Sequence, residues 1–251
     1  MWAMMKGKPM KAWILGGSSG LGLELVKEAE RHSIDPVTLG RNSQLQVDLS
    51  DRQSVEALCQ KIEVMEAELL KDVSFFVWNA GEFEYGPFDQ AEKLASMFAI
   101  NADAPTRILQ TFVRRKKKLR SPFHLITIAS VAVWKARADM AIYAGTKAYQ
   151  AQFSRSLALE FERDLPGSKV VIVHPAGMKT GLFPASINTS EFMDPREIAG
   201  IIWREALVQE KFCDWFNVLR VEGKPSVSRE NVSPELAYDE LPKYNTGGFG
   251  G

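Results

Sequence analysis

Tyr143 and Lys147, in the run Tyr143-Ala-Gly-Thr-Lys147, stand four residues apart. On a helix that spacing puts both side chains on one face. A nearby ammonium favours the phenolate and draws a phenol pKa of about 10 down toward working pH. The pair is then a proton donor and acceptor suited to a carbonyl or alcohol group. Tyr and Lys are both common on helices, so the pair takes its meaning from what surrounds it. Ser130 lies thirteen positions upstream of Tyr143, after an apolar run, and a glycine-rich turn opens the chain.

That turn reads Ala12-Trp-Ile-Leu-Gly16-Gly17-Ser18-Ser19-Gly20-Leu21-Gly22. Its first four residues predict a buried parallel strand. Glycines at 16, 20 and 22 let the backbone turn tightly and approach a pyrophosphate. The helix expected from Leu21 then offers its N-terminal amides to that anion. A Gly/Ser run alone is most often only a turn. Between a strand and a helix at the start of an α/β chain, it predicts dinucleotide binding.

Strand and helix patterns alternate along the chain, which predicts an α/β fold: a Rossmann-type doubly wound parallel sheet in a single domain. The expected strands are Ala12–Leu15, Val37–Leu39, a short third from Gln46–Val47, Phe75–Trp78, His124–Ile128, Lys169–His174 and Trp215–Val221. Helices are expected over Leu21–Ser33, from Ser54 with Asp51 or Ser50 as cap, over Gln90–Lys117, Ala141–Glu162 and Pro195–Val208. Only seven residues separate Gly40 from Asp48. A parallel crossover normally needs about a dozen or more, so the helix between strands 2 and 3 is expected to be missing. The predicted division is a dinucleotide-binding domain over 1–222 and a polar Gly/Pro/Ser-rich tail over 223–251.

The chain has 251 residues, of which 45% are hydrophobic, enough for one full core. Its formal net charge is zero, which speaks against nucleic acid and acidic membranes. Cys59 and Cys213 lack metal-ligand spacing, the three histidines are scattered, and no metal is expected. No apolar run approaches the roughly 20 residues of a membrane span, and the run after Lys11 is too short for a signal peptide. A cytoplasmic protein is expected. The basic run Arg114–Arg120 suits the C-terminal end of a helix dipole and reads as a solvated helix end.

Taken together these residues resemble a short-chain dehydrogenase/reductase, over roughly 10 to 221. Asn79-Ala80-Gly81 after the fourth strand is similar to that family's Asn-Ala-Gly signature, and Pro175-Ala176-Gly177-Met178-Lys179-Thr180 to its nicotinamide-side segment. Leu15, Trp78 and Ala176 replace a more usual Thr, Asn and Gly. The resemblance implies hydride transfer between a nicotinamide and a carbonyl or alcohol carbon. It assigns catalysis to Asn101, Ser130, Tyr143 and Lys147. Tyr143 would protonate the carbonyl oxygen, Ser130 would donate to it, and Lys147 would hold the ribose and lower the Tyr143 pKa. Asn101 would hold a water in a relay to Lys147; from position alone it is a mid-helix polar residue. Cofactor contacts are expected from Gly16, Ser18, Ser19, Gly20, Leu21, Gly22, Arg41, Asp48, Leu49, Asn79, Ala80, Gly81, Tyr143, Lys147, Pro175, Ala176, Met178 and Thr180.

Arg41 after the second strand fits a 2′-phosphate, where an acidic residue would take a free hydroxyl, so NADP(H) is the expected cofactor. Asp48 would accept from the adenine amine. The expected mouth (Glu82, Phe83, Val131, Val133, Trp134, Leu182, Phe183, Ile187, Phe192, Met193) is mostly apolar and suits a small hydrophobic carbonyl or alcohol substrate. The segment Gly181–Asp194 is short for a lid. Relatives assemble through their two long helices, which implies a homodimer or homotetramer. Two other readings compete: a non-catalytic NADP(H) sensor or scaffold, which would tend to lose Tyr or Lys, and a nucleotide-sugar epimerase or dehydratase, which would carry a different glycine spacing.

Overall fold

The computed structural model describes residues 10–230. Its strands are β1 Met10–Leu15, β2 Ile34–Gly40, β3 Leu45–Gln46, β4 Val73–Trp78, β5 His124–Ile128, β6 Lys169–Pro175, β7 Cys213–Val221 and β8 Lys224–Ser228. Its α-helices are α1 Gly20–Arg31, α2 Arg52–Val64, α3 Ala67–Lys71, α4 Leu94–Phe98, α5 Ala104–Lys118, α6 Ala141–Asp164 and α7 Pro195–Val208. The strands form one sheet in the order β3-β2-β1-β4-β5-β6-β7-β8, parallel except for β8. From β1 the chain steps outward to β2 and β3, then returns to the other side of β1 at β4. The loops leaving β1 and β4 therefore diverge, and a crevice opens beyond their C-terminal ends.

Both faces of the sheet are covered, which is why its central strands read as continuous apolar runs. Side chains alternate between faces along each strand. Trp13, Leu15, Phe76 and Trp78 pack with Val55 and Leu58 of α2, Ile108 and Phe112 of α5 and Ala151 and Phe161 of α6. Ala12, Ile14, Phe75 and Val77 pack with Leu25 and Ala29 of α1 and Ile198 and Ile202 of α7. Trp203 Nε1 donates to the Leu25 carbonyl (2.9 Å) and pins α7 to α1.

The short link between β2 and β3 is observed as expected: residues 41–44 form a turn, and Gln44 Oε1 accepts from the Thr38 amide (2.7 Å). Asp51 caps α2 by accepting from the Gln53 amide (2.9 Å). The expected helix over Gln90–Lys117 is broken instead. A 3-10 turn at Phe88–Gln90 and a gap precede α4, a π-helical segment spans Ala99–Asp103, and α5 follows. Pro105 supplies the physical reason. It has no N–H for the Asn101 carbonyl four residues back, and its ring crowds that carbonyl, so the turn widens.

The basic run is not merely solvated. Arg115 donates to the Glu63 and Met65 carbonyls at the end of α2. Lys116 is fully buried and donates to the Leu70 and Val73 carbonyls and Ser121 Oγ. A hairpin also crosses the expected boundary after residue 222. Glu222 (φ 50°) and Gly223 (φ 81°) form a two-residue turn, and β8 pairs back on β7. The sheet thus runs to Ser228; residues 231–251 of the expected tail lie outside the described residues. Among the described residues no helix is long and apolar enough to cross a membrane, and no cluster of three His, Cys, Asp or Glu side chains is placed to hold a metal.

Candidate active site

Gly16 to Ser19 join β1 to α1. Gly16 has a φ of 82°, and a Cβ there would lie 2.8 Å from Ala80 Cα. A Cβ on Gly22 would lie 1.9 Å from the Gly16 carbonyl oxygen, so the loop can fold over the first turn of α1 only if this residue is glycine. Asn79 Nδ2 donates to that same carbonyl (3.0 Å) and ties the end of β4 to the loop. Ser19 caps α1 without its side chain, and the first turn carries no acidic residue. The helix end keeps amides and positive dipole for an anion.

A cleft of about 1190 Å³ runs along the C-terminal edge of the sheet. One end is lined by Arg41, Asp48 and Leu49, and the middle by Gly16, Ser18, Ser19, Gly20, Leu21, Asn79, Ala80 and Gly81. The other end is lined by Ser130, Tyr143, Lys147, Pro175, Ala176, Met178 and Thr180. Hydrogen bonds from the Ser50 side chain and backbone hold the Asp48 carboxyl below its ordinary range. The residues present fit a dinucleotide: the glycine cradle, an α1 end without an acidic neighbour and Arg41 all open onto this one groove.

Two of the predicted catalytic and cofactor-binding residues do not line it. Gly22 shapes the loop from behind. Asn101 is fully buried; its Oδ1 accepts from the Glu82 amide (2.6 Å), and its Nδ2 donates to the Glu82 carbonyl (2.9 Å) and to Thr146 Oγ1 (3.0 Å). Both amide protons are therefore committed to holding the strand exit against α6. A side chain stands between Asn101 and Lys147, where a water relay is expected. Gln150 Nε2 donates to the Asn101 carbonyl (2.7 Å), and Gln150 Oε1 accepts from Lys147 Nζ (3.0 Å).

Tyr143 sits in the first turn of α6 and is 7% exposed. Ser130 follows β5; its Oγ accepts from the Ala132 amide (3.1 Å), and its carbonyl accepts from His174 Nδ1 (3.2 Å). Burial pushes the Tyr143 phenol up to about 12, with a hydrogen bond to Ser130 opposing. Burial also pushes Lys147 down to about 7. The expected lowering of Tyr143 by Lys147 is thus reversed. Desolvation disfavours the charged form of both groups, and Lys147 Nζ stands 5.8 Å from the centre of the phenol ring. At neutral pH Tyr143 is a protonated donor, the state that delivers a proton to a carbonyl oxygen.

The space beside Tyr143 is aromatic. Phe83 meets the Tyr143 ring edge-on (4.9 Å between centroids), and Phe183 in turn meets the Phe83 ring edge-on (5.0 Å). Glu82, Phe83, Val131, Leu182, Phe183, Ile187 and Phe192 line the cleft as expected. Val133, Trp134 and Met193 do not: Val133 packs into the α2/α5/α6 layer, Met193 into the α1/α7 layer, and Trp134 packs at a tilt against His174 and Trp215 beneath Arg155. Gln150, Thr146 and His174 were missed as site residues. For Gln150 a signal existed, a polar residue one turn after Lys147 on the packed side of α6.

A parallel sheet of this order with its cleft at the switch point is a frame suited to binding a dinucleotide. The family profile for short chain dehydrogenases matches residues 40–190, more than half of the chain, and the chain belongs to that family. It is an oxidoreductase of the short-chain dehydrogenase type. It is 26% identical over 239 residues to 1-deoxy-11-beta-hydroxypentalenate dehydrogenase of Streptomyces arenae, covering 83% of this chain and 82% of that protein. It is 25% identical over 189 residues to 3-beta-hydroxysteroid dehydrogenase of Comamonas testosteroni, covering 70% and 74%. Its fold matches a short-chain dehydrogenase from Sphingobium yanoikuyae in complex with NADPH, with a TM-score of 0.67, 23% identity, and coverage of 78% of this chain and 84% of that one.

Proposed function

We propose that the protein is an NADP(H)-dependent carbonyl reductase or alcohol dehydrogenase acting on a small hydrophobic substrate. One observation carries this: a single cleft joins Arg41 at one end to Ser130, Tyr143 and Lys147 at the other. A bound nicotinamide would supply or accept the hydride, and the chain would orient and polarise. Ser18, Ser19 and the first amides of α1 hold the pyrophosphate, Arg41 takes the 2′-phosphate, and Asp48 and Leu49 flank the adenine. Gly20, Leu21, Asn79, Ala80 and Gly81 form the floor. Pro175, Ala176, Met178 and Thr180 line the end of the cleft that would hold the nicotinamide. Lys147 gives an N–H to the ribose.

Tyr143 gives its proton to the carbonyl oxygen as that oxygen gains charge. Ser130 Oγ is held by the Ala132 amide and hydrogen-bonded to Tyr143, and from that place its hydroxyl would donate to the same oxygen. Asn101 acts as a support, holding Glu82 and Thr146. Phe83, Phe183 and Phe192 keep water from the reacting carbon and favour an apolar substrate. We infer a cytoplasmic homodimer or homotetramer assembled through the long helices α5 and α6; half-exposed Tyr149 and exposed Leu159 of α6 support that surface.

The competing reading is an NADP(H) sensor. Fluorescence titration with NADPH and NADH, followed by turnover on a panel of ketones, aldehydes and quinones, separates them. A reductase binds NADPH and turns over members of the panel. Tight binding with no turnover on any class favours the sensor.

A further inference from the structure

Gln150 lies one turn after Lys147 on α6 and is wholly buried. A buried amide is costly unless its polar atoms are paired. Here one end meets a backbone carbonyl and the other an ammonium in the cleft wall: Nε2 donates to the Asn101 carbonyl (2.7 Å), and Oε1 accepts from Lys147 Nζ (3.0 Å). The Asn101 carbonyl is available because Pro105, four residues on, has no N–H to offer it. The break in the helix and the lysine harness are therefore one construction.

An ammonium has three donors. Lys147 gives one to the Ile128 carbonyl (2.8 Å) and one to Gln150. In the protonated state, two fixed acceptors leave one N–H, and they determine where it points. The titratable side chains around Lys147 are Tyr143 from its own helix and His174 from β6, with Arg155 acting on His174. No carboxylate among the described residues contributes to the Lys147 shift, and burial alone draws it down to about 7.

We propose that Gln150 is a positioning residue: its neutral amide aims the remaining Lys147 N–H into the cleft and fills the wall behind it. The inference rests on the proposed role of Lys147 toward the cofactor ribose. A leucine at 150 removes both bonds and frees the ammonium to swing. A glutamate keeps the shape but places a carboxylate against Nζ, and an opposite charge at that range raises an amine pKa by about 1–3 units.

The test uses the full chain with lysine side chains isotopically labelled, Lys147 being assigned by its loss in Lys147→Met. NMR titration of the cofactor-free protein gives the Lys147 midpoint, and fluorescence titration gives the NADPH dissociation constant. Gln150→Glu should raise the midpoint by at least about one unit. Gln150→Leu should weaken NADPH binding about tenfold, the scale of one misaligned charge-assisted bond. An unmoved midpoint in Gln150→Glu, or an unchanged dissociation constant in a folded Gln150→Leu, overturns the proposal. If Gln150→Leu does not fold, the near-isosteric Gln150→Glu decides through its midpoint. A wild type that bound no dinucleotide would remove the cofactor reading, while the titration would still decide whether Gln150 governs Lys147.

Discussion

A Lys147→Met substitution should change the stability of the cofactor-free protein by an amount that depends on pH, and the structure gives both sign and size. Lys147 is 4% exposed. Its ammonium falls from the ordinary 10.5 to about 7 on folding, through burial. Below about 7 both folded and unfolded chains hold the proton, and the folded state carries the full cost of a buried cation. Between about 7 and 10.5 the unfolded chain binds a proton that the folded one lacks, so stability rises with pH. Integrating the proton difference makes this cost about 5 kcal/mol at pH 6 and about 2 kcal/mol at pH 9. Methionine fills similar space without titrating. Its failure to bond the Ile128 carbonyl and Gln150 Oε1 subtracts the same amount at either pH. Relative to wild type, the variant should therefore be about 3 kcal/mol better off at pH 6 than at pH 9. Urea unfolding followed by tryptophan fluorescence at the two pH values reads this directly, with no cofactor present because a ligand would add its own stabilisation. A difference under about 1 kcal/mol would mean that Lys147 remains a cation throughout the range. The burial-dominated account of the Tyr143–Lys147 pair would then fail.

Arg41 lies exposed on the cleft rim, where the short β2–β3 link leaves the proposed adenine side open. Dissociation constants should favour NADPH over NADH about tenfold at low salt and less at high salt, Arg41→Asp should reverse the order, and equal wild-type affinities would remove Arg41 from cofactor choice. Burial draws His124 down to about 3 and His174 down to about 4, so both are neutral in the fold at neutral pH. Their unfolded forms gain protons below about 6.5, and each residue should remove about 3 kcal/mol of stability by pH 4. A folded His124→Gln variant should lose correspondingly less between pH 7 and pH 4, and parallel acid curves for the two proteins would contradict this.

The features legible in the sequence are those whose chemistry is local. Gly16, Gly20 and Gly22 announce a turn that no other residue can make, and Tyr143 and Lys147 fall on one helix face by spacing alone. The short Gly40–Asp48 interval excludes a crossover helix by chain length. Other features needed tertiary context. Trp134 reads as a mouth residue until His174 and Trp215 are seen to hold it. Gln150 has no visible role until Pro105 leaves a carbonyl unpaired on another helix. The sign of the Tyr143 shift was misjudged because a charge pair can be read from spacing, whereas burial is a property of the whole fold. Two signals were present but outweighed: Pro105 inside an expected helix, and Glu222-Gly223 as a hairpin turn within a polar segment.

The account turns on Tyr143 as the proton donor. Tyr143→Phe removes one buried hydroxyl and little volume. The measurement is turnover of wild type and Tyr143→Phe with NADPH on a substrate found in the carbonyl panel, alongside the NADPH dissociation constant. The variant should bind NADPH as wild type does and lose about 10²–10⁴-fold in turnover. Turnover near the wild-type rate, with binding intact, would contradict the assignment and with it the proposed chemistry of the cleft.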